Sequence, residues 1–169
     1  MTRAAVIGLL LFSAAVLQTA LFPHLAIAGY RPDLLLLVTA AFALHDGAST
    51  GVLVGFTAGV VTDLLLVQPS LGLSTVVLVS VGYAVGLVRP YLAIGSVTAP
   101  VAIAFASGVA GTAGYGLLSR LLGDPRFTLE LVAQASLMVG LYNTVLAPPA
   151  FVLVGGLTGR FPPQRTAPL

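Results

Sequence analysis

Apolar residues run along this chain in blocks too long for the alternation of a strand or for one face of a surface helix. Charge-free runs cover 4–30, 34–45, 47–62, 64–88, 90–119 and 131–159. Within them hydrophobic side chains fall on every face of a 3.6-residue turn. That is the pattern of helices surrounded by other apolar matter, not of barrel strands with a polar side. A helix that crosses a bilayer needs about 20 mostly apolar residues. The runs therefore predict membrane helices, separated by proline, glycine and the rare charge.

The punctuation predicts six of them. Helix 1 spans 4–22 and stops at Pro23, with a loop at 23–32. Helix 2 spans 33–45. Pro32-Asp33 marks its start, because proline sits easily at a helix beginning and an acid there complements the dipole. Thirteen residues reach only about 20 Å, short of a hydrocarbon core of about 30 Å, so helix 2 is short or partly re-entrant. Helix 3 spans 47–67 after His45-Asp46-Gly47 and ends at Gln68-Pro69-Ser70. Helix 4 spans 71–88 and ends at Arg89-Pro90. Helix 5 spans 97–119, and a polar loop, 120–128, holds Asp124-Pro125-Arg126. Helix 6 runs from 129 toward 159, with a kink or break expected at Pro148-Pro149.

Composition turns this from a helical protein into a membrane protein. Charged residues are 7% of the 169, against about 25% in a soluble domain. Seven Arg, four Asp and one Glu cannot cover the surface of a soluble globule of this size. The fold class is thus all-α and integral to the membrane, a compact bundle of about six transmembrane helices. One domain is expected over 1–159, followed by a short tail, 160–169, whose prolines and arginines predict disorder. Arg3, the apolar run behind it and Ala26-Ile27-Ala28 imitate a secretory signal. The run to Phe22 exceeds the usual 7–15 residues of a signal core, so a retained first helix is expected. No cysteine is present, which removes disulfides, thiolate metal sites and a cysteine nucleophile. The net charge of +2 gives no reason to expect a nucleic-acid partner.

Arginine placement suggests an orientation. With six spans, Arg3, Arg89, Arg160 and Arg165 share one side, and Arg31, Arg120 and Arg126 the other. Four against three favours both termini in the cytoplasm.

Small residues recur every fourth position. Helix 3 carries Gly47, Gly51, Gly55 and Gly59, and helix 4 carries Gly82 and Gly86. Helix 5 carries Ala104, Gly108, Thr112 and Gly116. Residues four apart share a helix face, and a face without side chains lets another backbone approach closely. These glycines are candidate helix-packing or partner-contact positions. Helix 3, with the longest run, is expected near the bundle centre, and helix 5 is the candidate for an outside partner. Asp63 lies one turn beyond Gly59, and a hydrogen bond to Ser74 or Thr75 of helix 4 is weighed against an ion or proton site. Asn143 is the other polar group inside a span, with interhelical hydrogen bonding as its default role. His24 and His45 stand at helix ends without zinc spacing, and no triad or phosphate loop is present. No catalytic residue, cofactor or metal is expected.

In order, the chain shows Arg31-Pro32-Asp33 before four leucines, then Gly51, Gly55-Phe56, Gly59 and Asp63-Leu64. Ser70-Leu71-Gly72-Leu73-Ser74, Gly82-Tyr83, Gly86, Tyr142-Asn143-Thr144 and Ala147-Pro148 follow. This order resembles the rod shape-determining protein MreD family over residues 4–159. The resemblance implies a non-enzymatic scaffold of the elongasome in the bacterial inner membrane, supporting rod shape and side-wall peptidoglycan synthesis. It implies MreC as direct partner, with MreB, RodA and a class B penicillin-binding protein in the wider assembly. It also implies a helical arrangement like the S components of energy-coupling-factor transporters. A small-molecule-binding S component is therefore the alternative. Its pocket would draw on Tyr30, Arg31, Asp63, Arg120 and Arg126, which form no evident cluster in sequence.

Overall fold

The computed structural model of the chain describes residues 3–22, 24, 26, 29–65, 72–92 and 98–160. The expected stops at Pro23 and 68–70, the loop around Gly95 and the tail 161–169 lie outside the described residues.

Six helices account for nearly all of it: α1 (Arg3–Ala20), α2 (Leu34–Asp46), α3 (Ala48–Leu65), α4 (Leu73–Val88), α5 (Thr98–Leu121) and α6 (Leu129–Arg160). A 3-10 turn, Arg89–Tyr91, closes α4. Five of the helices are long and apolar enough to cross a membrane, and α2 is shorter. The protein is an all-helical membrane bundle.

The packing is antiparallel between neighbours in sequence. The glycines of α3 meet α4 in descending order, Gly51 against Gly82, Gly55 against Leu78 and Gly59 against Thr75. Those of α5 meet α6 likewise, Gly108 against Gly140 and Gly116 against Val132. A Cβ on Gly55 would lie 2.5 Å from the Leu78 carbonyl oxygen. Two backbones in contact leave no room for it. Because α1 and α2 are antiparallel too, Arg3 pairs with Asp46 at the far end of α2. Phe151 of α6 packs on His45 at that same end, with ring centroids 6.4 Å apart. The start of α1 and the end of α6 therefore share one end of the bundle.

Two expectations need correction. The centre is α2, not helix 3: every residue from Leu35 to Ala43 is buried, and α2 touches each of the other five helices. A short helix with leucine on all faces and alanine in its second half can be enclosed completely, whereas the α3 ladder lies mainly along α4, with Gly51 also against Ala43 of α2. The α5 ladder does not face outward either. Gly108 and Gly116 are spent on α6, as the contacts above show. At Pro148 and Pro149, where a kink or break is expected, there is no break: α6 continues as helix for 32 residues, about 48 Å along its path. Buried Ala147, Phe151 and Val154 pack on both sides of the prolines. That packing holds the helix across the hydrogen bonds that proline cannot make.

Candidate functional site

The N-terminus of a helix presents N–H groups that its own backbone cannot satisfy, and inside a bilayer water does not reach them. At α2 the chain answers this with three side chains. Asn143 Oδ1 of α6 accepts the Asp33 N–H at 3.0 Å. Gln18 Oε1 of α1 accepts the N–H groups of Leu34 and Leu35 at 2.9 and 3.2 Å. Asp33 Oδ1, as N-cap, accepts that of Leu36 at 3.0 Å. The short central helix is thereby tied to α1 and α6.

At α4 the N-cap position is Gly72, which has no side chain to offer. Asp63 of α3 takes its place. Its Oδ1 accepts the Ser74 N–H at 3.2 Å, and its Oδ2 accepts the Thr75 N–H at 3.1 Å and the Thr75 hydroxyl at 2.8 Å. The same residue pair, Gly59 and Thr75, brings the backbones together one turn earlier. The ladder and the carboxylate act as one device for docking α4.

Both capped N-termini border a cavity of about 520 Å³. It lies at the bundle end opposite the start of α1 and the end of α6. The end of α1, the starts of α2 and α4, the end of α3, and α5 and α6 all contribute walls. Its polar groups include Gln18, Arg31, Asp33, Ser74, Thr112 and Tyr115, set among leucine, valine and alanine. Tyr115 is braced edge-on by Phe127 of the 120–128 loop, with centroids 5.8 Å apart. Outside the spans, the Arg126 guanidinium donates to both oxygens of Asp124 and holds that carboxyl below its ordinary value.

The sequence candidates distribute unevenly around this cavity. Arg31 lines it. Asp63, Arg120, Arg126 and Tyr30 do not. Gly51, Gly55, Gly59, Gly82 and Gly86 lie along the α3–α4 contact, and Gly108 and Gly116 along α5–α6. Asn143 is fully buried, with room beside its amide provided by Gly108. Gln18 was not singled out by sequence, and Asp33 was noted only as a helix start. The one available signal was polarity near the ends of two apolar runs. Among the described residues no group of His, Asp and Glu could hold a metal ion. The arrangement offers a shaped, amphipathic seat rather than a reactive constellation.

The family model described as rod shape-determining protein MreD matches residues 1–155. No curated protein and no solved structure matches the chain.

Proposed function

The chain belongs to the MreD family of rod shape-determining proteins, and from that premise we propose that it is a non-enzymatic scaffold of the elongasome that binds MreC. The family places it among multi-pass membrane proteins of the shape-determining complex, in contact with lipid. The proposal goes further: a bacterial inner-membrane location, both termini cytoplasmic, a role in side-wall peptidoglycan synthesis, and MreB, RodA and a class B penicillin-binding protein in the wider assembly. In this orientation the cavity opens toward the periplasm.

The carrying observation is how the buried polar groups are used. Asp63 and Gln18 are engaged in fixing helix ends, and Asn143 caps through its oxygen. What remains is the cavity, with polar groups set in an apolar wall. Such a lining suits a partner segment that is itself half apolar and half polar. We assign it as the MreC contact. The glycine ladders, which line contacts within the chain, then have the separate task of holding the cavity walls at fixed spacing.

The cavity also favours a second reading, a small-molecule-binding S component, since such a component needs a concave site with convergent polar groups. Purification from native membranes separates the two. The scaffold predicts MreC as the co-purifying protein. An ATPase module with its coupling protein, in place of MreC, would establish the transporter component instead.

A further inference from the structure

Asp33 and Asp63 are both helix-capping carboxylates, yet they differ in what else they meet. Asp63 has both oxygens committed to α4 and does not line the cavity. Asp33 accepts the Leu36 N–H on one oxygen, is also hydrogen-bonded by the Gln18 side chain and the Leu35 backbone, and lines the cavity between buried Pro32 and buried Leu35, so three of its acceptor sites are used. A carboxylate has about four acceptor sites, so Asp33 retains capacity toward the cavity. Among the described residues it has no ion-pair partner: the ion pairs are Arg3 with Asp46 and Arg126 with Asp124. Arg31 is exposed at the rim and makes no ion pair with it.

The helix termini offset part of this charge. Each N-terminus carries about half a positive charge. Asp63 is committed to the α4 terminus, so Asp33 against the α2 terminus leaves about half a negative charge facing the cavity. Arg31 sets a positive charge at the rim. The cavity is therefore polarised, negative inside and positive at its mouth.

We propose that this cavity receives a cationic group, the head of a lysine or arginine side chain of a partner polypeptide, with the Asp33 carboxylate as its counter-charge. The proposal rests on the partner-docking function above and names what the partner must present. Leu35, Leu36, Val77 and Leu78 line the wall against which an aliphatic stem would lie. Thr112 and Tyr115 also line the cavity, and a hydroxyl oxygen there has acceptor capacity for the remaining N–H groups. An acidic residue next to the cation in the partner would meet Arg31. A charge at membrane depth is costly alone, and a partner of opposite charge removes that cost.

The test uses the full chain in phosphatidylcholine nanodiscs, with n-butylguanidinium as probe and neutral n-butylurea as its isostere. The cation is expected to raise the thermal midpoint, and the urea to leave it unchanged. Asp33→Asn keeps an oxygen for the Leu36 N–H, so the fold is retained, and it should weaken the probe and MreC capture at least about tenfold. Arg31→Gln should strengthen the probe, because it removes a like charge at the mouth. A general loss of structure would not produce that increase. If Asp33→Asn binds probe and MreC as the parent does, the cation site is overturned while the scaffold stands. If the parent captures no MreC, the scaffold fails, and with it the assignment of the cation to a partner polypeptide. If phosphatidylethanolamine displaces the probe while MreC capture is indifferent to Asp33→Asn, the occupant is a lipid headgroup and the polypeptide assignment is overturned.

Discussion

Asn143 accepts the backbone N–H of Asp33 at 3.0 Å, joining α6 to the N-cap of the central helix across 110 positions of sequence. The bond is part-buried, and its acceptor, Asn143, is fully buried. Asn143→Leu removes the acceptor and leaves the N–H unsatisfied, a cost of about 1–3 kcal/mol. A clear fall in the thermal midpoint of the purified protein is expected. An unchanged midpoint would mean that α2 is anchored by its apolar packing alone.

Asp63 separates capping from charge. Asp63→Asn retains one oxygen for α4, whereas Asp63→Leu loses the two N–H contacts and the Thr75 hydroxyl contact together. We expect Asn to keep most membrane abundance and MreC capture. Leu should lose stability on the order of 2–3 kcal/mol. Asn failing as badly as Leu in cell shape, at normal abundance and normal MreC capture, would point to ion coupling.

Glycines give a paired comparison. A Cβ on Gly55 meets the Leu78 backbone, while one on Gly156 meets nothing within 4 Å. Gly55→Leu should therefore disrupt the α3–α4 contact and deplete the protein from membranes. Gly156→Ala should accumulate like the parent. Equal accumulation of both would show that α3 and α4 tolerate separation.

The helices, their order and the pairing role of glycine were legible because hydropathy and spacing are local properties. The i, i+4 ladders announced close contacts but not the partner face. Helix 5 was assigned outward for that reason, although Gly108 and Gly116 face α6. The cavity was illegible for a related cause. Gln18, Asp33, Ser74 and Tyr115 come from four helices and converge only through the fold. At Pro148 and Pro149 the helix does not break, because packing on either side outweighs proline's local cost.

The loop ion pair has its own pH signature. Hydrogen bonds from the Arg126 side chain, and then from its backbone N–H, depress the Asp124 carboxyl from 3.8. A depressed carboxyl stabilises the folded state above its unfolded value and loses that contribution as pH falls through the lower folded value. The pair is solvent-exposed, so added salt should weaken it. Carboxyl titration by NMR should place Asp124 below 3.8, and Arg126→Gln should move it partway back. No movement would leave the backbone contact as the whole cause.

The most direct measurement of the central claim is site-specific photo-crosslinking in living cells. A photoreactive residue is placed at Thr112 or Leu65, which line the cavity, and at Phe12 or Val152, which are exposed on the bundle surface. A scaffold that seats MreC in its cavity predicts an MreC adduct from Thr112 and Leu65 and little from Phe12 and Val152. MreC adducts confined to the surface positions, or none from any position in cells that contain MreC, would contradict it.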